Sequence, residues 1–165
     1  MEIERKFLFV TLPDVYEVIK KLIIHQAYLV HDQDNMEVRI RKVYDTNKLS
    51  SKCFLELKEG RGLMRKEESL GISSDMYSQL LRLCDAPALE KTREVIRADD
   101  GRIYECDTYH DILNWAMSDK LKIAEIEFPS EEEAKLFTPP EWLGEEVTGN
   151  PDYSNRMLWK GLIYC

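Results

Sequence analysis

The residues of this chain that can do chemistry come mostly in like-charged pairs spaced two apart. Acids stand at Glu2/Glu4, Glu105/Asp107 and Glu125/Glu127, and bases at Arg39/Arg41 and Lys91/Arg93, with Lys6, Lys58 and Arg65 as single additions. In a β-strand, residues two apart share a face. A solvated face would mix the signs, because neighbouring like charges repel. Turned inward, acidic strands lying side by side offer carboxylate oxygens to a hard divalent cation. Basic strands around the rest clamp a polyanion with forked guanidinium contacts. A polyanion that carries Mg2+ or Mn2+ is a chain of phosphates. Seven basic side chains exceed what one phosphate needs and suit a linear tri- or oligophosphate. Buried unpaired ions cost several kcal/mol each, so the charges must be paired or kept wet, which implies a water-filled tunnel.

The elements that must position these residues are mainly strands. Strand character is expected over Glu2–Val10, Ile24–His31, Met36–Tyr44, Cys53–Lys58, Leu63–Ile72, Leu89–Ala98, Arg102–Thr108 and Leu121–Phe128. Asp14–Ile24 has a helical stripe in Val15, Val18, Ile19 and Leu22, with Asp14 as cap. Ser74–Cys84 and Ser130–Phe137 are further helices, the first capped by Ser74 or Asp75 and the second by Ser130, and a short C-terminal helix is expected over Tyr153–Gly161. Asp99-Asp100-Gly101 is a hairpin turn, and Tyr109–Asp119 is expected to be loop with some helix. Most connections are too short for a crossover, so the sheet should be mainly antiparallel. The fold class is therefore α+β: an eight-stranded, mainly antiparallel closed β-barrel with helices packed outside. Outward-facing Ile3, Phe7, Val38, Ile40, Leu55, Leu57, Ile126 and Phe128 lie beneath those helices.

At 165 residues, with 33% charged and 44% hydrophobic content, residues 1–165 are expected to form a single domain that buries roughly 70% of its unfolded surface. The formal net charge of −8 excludes nonspecific nucleic-acid binding, which needs a basic surface. No apolar run is long enough to cross a bilayer, and the chain enters directly into Glu2 and Glu4, so neither a membrane anchor nor a signal peptide is expected. Cys53, Cys84, Cys106 and Cys165 show no metal-ligand spacing and fit free thiols in the reducing cytoplasm. A monomer or homodimer is expected.

Glu2-Ile3-Glu4-Arg5-Lys6 resembles the ExExK signature of the CYTH superfamily, the triphosphate tunnel metalloenzymes. The resemblance continues in order through Gln26-Ala27-Tyr28-Leu29, Glu37-Val38-Arg39-Ile40-Arg41 and Leu57-Lys58. It then runs through Gly62–Glu67, Leu89–Arg93, Tyr104–Asp107, Ala124–Phe128 and Trp142–Pro151, nearly the whole chain. The chain looks closest to the compact bacterial members, and the resemblance implies metal-dependent hydrolysis of inorganic triphosphate or short-chain polyphosphate in a charged tunnel. It implies phosphate binding by Lys6, Arg39, Arg41, Lys58, Arg65 and Arg93, with Lys91 joining them and Lys160 reaching in from the C-terminal helix. It implies one or two divalent ions, Mg2+ or Mn2+, on Glu2, Glu4, Asp107, Glu125 and Glu127. Glu4 would help to orient or ionise water, and Tyr28 occupies the place of a tyrosine proposed as proton acceptor in some relatives.

Two positions depart from the family pattern. An RxExE run ends here at Ser69, after Arg65 and Glu67, and a Leu-Thr-x-Lys pattern reads Leu55-Glu56-Leu57-Lys58. A carboxylate thus replaces a hydroxyl at Glu56, where it either repels phosphate or pairs with a neighbouring arginine. Alternative activities on the same scaffold are a class IV-type adenylate cyclase and a thiamine triphosphatase. The first needs an adenine pocket that no residue set specifies. The second needs an aromatic platform, for which Trp115 or Trp142 are candidates. A non-catalytic polyphosphate binder fits less well, because bare acidic pairs repel phosphate.

Overall fold

Strand β1 (Ile3–Phe9) carries two chemistries on one ribbon: Ile3, Arg5, Phe7 and Phe9 on one face, Glu4 and Lys6 on the other. The computed structural model describes residues 3–30, 36–59, 66–114 and 119–164. Within them β1 is followed by β2 (Glu17–Val30), β3 (Met36–Asp45), β4 (Ser50–Glu59) and β5 (Lys66–Ile72). Helix α1 (Ser74–Leu81), strands β6 (Leu89–Arg97), β7 (Ile103–Asn114) and β8 (Asp119–Phe128), helix α2 (Glu131–Leu136), β9 (Leu143–Glu146) and α3 (Asn155–Gly161) complete the order. The chain divides into two compact units. One comprises residues 23–90 with 151–165, the other residues 2–22 with 91–150.

The strands hydrogen-bond in the order β5-β4-β3-β2-β6-β7-β8-β1-β9. This corrects the expected eight-stranded closed barrel: there are nine strands, and among the described residues the order ends at β5 and β9 without closing. The unforeseen strand β9 pairs antiparallel with β1, which already pairs with β8, so both edges of β1 are taken. Gly144 allows that approach, since a Cβ there would stand 3.0 Å from the Leu8 carbonyl oxygen. Arg5 pins the same edge. Its guanidinium bonds Glu146 at 2.6 and 2.8 Å, donates to the carbonyls of Ala134 and Phe137 at 2.9 Å, and lies over the rings of Phe7 and Phe137.

The expected helix over Asp14–Ile24 is corrected as well, because β2 begins at Glu17. Val15 and Val18, half of the supposed buried stripe, are 76% and 50% exposed. Val18, Ile19, Ile23 and Ile24 are β-branched and favour the extended chain. Tyr109–Asn114, expected as loop with some helix, continues β7; residues 115–118, with Trp115, lie outside the described residues. The cap of α1 is Ser73, one residue before the expected candidates, and Ser130 caps α2 as expected. The Asp99-Asp100-Gly101 turn forms with Gly101 at φ +83°.

In the second unit the apolar face is a core of Phe7, Phe9, Ile96, Tyr104, Cys106, Ala124, Ile126 and Phe128, closed by Ala134 and Phe137 of the α2 region and Leu143 of β9. Trp142 joins it edge-on to Phe9, Tyr16 and Tyr104. That indole is used in packing. In the first unit Trp159 of α3 is fully buried, stacks obliquely on Tyr28 at 5.3 Å and donates to the Pro87 carbonyl at 2.8 Å.

Candidate active site

The opposite face of the second unit gathers the charges. Antiparallel register sets Glu4 opposite Glu127, Lys6 opposite Glu125, Glu105 opposite Glu125, and Arg93 opposite Asp107. Directly opposed residues share a face, so β1, β8, β7 and β6 contribute to one charged surface. Two of the cross-strand pairs, Glu4/Glu127 and Glu105/Glu125, are like-charged.

Cations offset that repulsion. Lys6 Nζ bridges Glu4 at 3.0 Å and Glu125 at 2.9 Å. Arg93 holds both Asp107 oxygens, at 2.7 and 2.8 Å, and also contacts Glu105 and, at 3.4 Å, Glu125. Lys91 Nζ bonds Asp107 at 2.7 Å, with Asp107 fully buried and Lys91 only 2% exposed. Burial alone would raise the Asp107 carboxyl, but the charges and hydrogen bonds of Lys91 and Arg93 outweigh it and hold the pKa at about 2. Glu125 is likewise lowered: burial opposes its ionisation, and Lys6 leads the charges that favour it. Glu127 lies exposed on this face.

The first unit holds a second cluster. Arg39 and Arg41 share a face of β3, and Glu56 of β4 stands opposite Arg39. Its carboxylate takes Arg39 Nε at 2.5 Å with one oxygen and Arg41 at 2.8 Å with the other. Of the two options the sequence left for Glu56, pairing with arginine is the one observed. Lys58 bonds Glu67 of β5 at 2.6 Å. Tyr28 is 1% exposed and its hydroxyl oxygen accepts from Gln26 Nε2 at 3.4 Å. Burial pushes its pKa up to about 12, against the pull of the Arg39 charge. Lys160 is half-buried on α3. Glu2 and Arg65 lie outside the described residues.

No family model matches the chain. The inorganic triphosphatase of Nitrosomonas europaea is 34% identical over 157 residues, 95% of each chain. The chain belongs to the inorganic triphosphatase family. The inorganic triphosphatase of Acetivibrio thermocellus is 33% identical over 161 residues, 96% of this chain and 93% of that one. The crystal structure of the inorganic triphosphatase NE1496 superposes with a TM-score of 0.70 at 32% identity, covering 96% of this chain and 94% of that chain. The CYTH resemblance read from the ordered motifs and these relatives agree.

For this family member the donor set suits a hard divalent cation in kind: carboxylates, two pairs of them facing each other with like charge. Among the described residues no three His, Cys, Asp or Glu side chains are grouped to hold a metal, and Lys6 and Arg93 supply the counter-charge instead. Asp107 is fully engaged by Lys91 and Arg93, which the acid-pair pattern alone did not reveal. Glu105 is the participant that the sequence named only as one of a pair. Its link to Arg93 follows from the hairpin register, which Gly101 sets.

Proposed function

We propose that the chain hydrolyses inorganic triphosphate or short-chain polyphosphate with the help of Mg2+ or Mn2+. The observation that carries this reading is the convergence of Glu4, Glu105, Glu125 and Glu127 with Lys6 and Arg93 on one charged face, in a chain whose relatives are inorganic triphosphatases.

Glu2, Glu4, Glu125 and Glu127 would hold the ion. When bound, it supplies charge neutralisation at phosphate oxygens and a more acidic water. Lys6 and Arg93 add positive charge that stabilises the anion as negative charge shifts to the leaving phosphate. Arg39, Arg41, Lys58 and Arg65 receive phosphate oxygens, the guanidiniums through paired N–H bonds, and Lys160 is assigned a further contact. Lys91 we assign to holding Asp107, and Asp107 to orienting Arg93. Glu4 positions the attacking water and accepts its proton.

Tyr28 enters as a positioning group. A hydroxyl with a pKa near 12 keeps its proton at neutral pH and supports Arg39. Tyr28→Phe is expected to cost roughly tenfold in kcat/KM, the worth of one hydrogen bond to a charged group, with the alkaline limb of the pH profile unmoved. A loss of a thousandfold or more would return it to the role of proton acceptor.

Free thiols at Cys53, Cys84 and Cys106 support a cytoplasmic setting. Among the described residues no helix is long and apolar enough to cross a membrane.

The activity is tested by phosphate release from triphosphate, pyrophosphate, ATP and thiamine triphosphate, each with Mg2+, Mn2+ or EDTA. Release from triphosphate above all, abolished by EDTA, is the expected result. Cyclic AMP and pyrophosphate from ATP would replace hydrolysis with cyclisation. Preference for thiamine triphosphate would move the substrate assignment, and triphosphate binding without turnover in any metal would leave a polyphosphate binder.

A further inference from the structure

Glu56 is an anion already seated in an anion site. Its side chain is 8% exposed, and its two oxygens are divided between Arg39 at 2.5 Å and Arg41 at 2.8 Å. A phosphate group offers the same guanidiniums the same kind of acceptor, so carboxylate and phosphate compete for the same donors. We infer that Glu56 is a specificity-determining residue that imposes an affinity threshold at Arg39 and Arg41, which a phosphate chain must overcome before it is held. This inference rests on the reading of those arginines as phosphate ligands.

The threshold falls unequally on different anions. Any phosphate reaching the pair must shift Glu56 or tolerate it as a neighbouring like charge. A ligand with one phosphate group has little else to set against that cost. A chain of three phosphates reaches further cations, among them Lys58 on the same face of β4, whose partner Glu67 is exposed and more easily displaced than Glu56, and recovers it. Glu56 thus weakens the hold on orthophosphate, which triphosphate hydrolysis releases along with pyrophosphate, more than it prevents capture of substrate. It also offsets part of the positive charge of the two guanidiniums, which a hydroxyl at this position would not do.

The test is calorimetric titration with inorganic triphosphate in EDTA, where no turnover occurs, and with orthophosphate, on wild type, Glu56→Gln, Glu56→Thr and Glu56→Asp. Removing the competing charge should tighten triphosphate binding about tenfold in the Gln and Thr variants, the worth of one charge-assisted contact. It should also make orthophosphate a measurable competitive inhibitor in kinetic assays with metal restored. Glu56→Asp keeps the charge but withdraws it by one methylene, and should tighten binding by a smaller factor. Thermal melts with and without triphosphate separate the alternatives: a merely structural Glu56 would lower Tm and leave anion affinity equal or weaker. Equal or weaker affinity in every variant that folds overturns the inference, and if only Glu56→Asp folds it decides alone. Absence of triphosphate hydrolysis in the wild type with any metal would instead strike the proposed function, independently of these binding ratios.

Discussion

Glu127→Gln should lose roughly 10–100-fold in triphosphate hydrolysis, the scale of damage seen when a group that tunes a metal site is altered, while the stability of the protein changes by no more than about 1 kcal/mol. The two effects separate because of where Glu127 sits. It is exposed and stands directly across from Glu4 on the neighbouring strand. Like charges so placed cost roughly 0.2–1 kcal/mol, which the amide relieves. Glu4→Gln should show the same loss of hydrolysis with a different stability signature. It gives up the 3.0 Å contact to Lys6, but Lys6 keeps Glu125 at 2.9 Å, so a modest loss of stability is expected. Steady-state phosphate release and denaturant melts on both variants check this. Full activity in both would remove the acidic face from the mechanism; a large drop in stability for Glu127→Gln would make it a structural residue.

Where alternation and burial coincide, the sequence was readable. On β3, Val38 and Ile40 alternate with Arg39 and Arg41, and on β8, Ile126 and Phe128 alternate with Glu125 and Glu127. In both, the two faces separate as the period of two requires. The N-terminal part of β2 was not readable, because Val15, Val18, Ile19 and Leu22 satisfy a helical period as well as they satisfy a β-branched strand, and tertiary pairing decided the outcome. Strand β9 had no local signal at all: Leu143-Gly144-Glu145-Glu146 is too short to alternate, and it is fixed by Arg5, 141 residues earlier. Among the charges, sign and spacing identified the members, but partnership needed register. Nothing local says that Lys91 and Arg93 close on Asp107, or that Glu56 falls opposite Arg39.

That partnership makes Asp107→Asn a strongly destabilising change in the second unit. The substitution is nearly isosteric and leaves the fold's packing in place, so its effect is electrostatic. It deprives Lys91, 2% exposed, of the carboxylate at 2.7 Å, and Arg93 of its two-oxygen partner. Arg93 retains Glu105 and a 3.4 Å contact to Glu125; the Lys91–Asp107 bond is the more deeply buried of the two pairings. Breaking a buried ion pair by removing one partner costs about 3–5 kcal/mol, a third or more of the stability of an ordinary domain. Urea melts measure it. The acid limb gives an independent check: the folded-state pKa of Asp107 is depressed from 3.8 to about 2. Its contribution is therefore complete above pH 3.8 and lost as pH falls through about 2. Wild type should shed that stability over this window, and Asp107→Asn should lack that part of the decline. Adding Lys91→Met to Asp107→Asn removes the other half of the pair and should recover part of the loss, with a coupling energy of roughly 0.5–3 kcal/mol in the double-mutant cycle. Additive single effects would mean that the two side chains are neighbours without being partners.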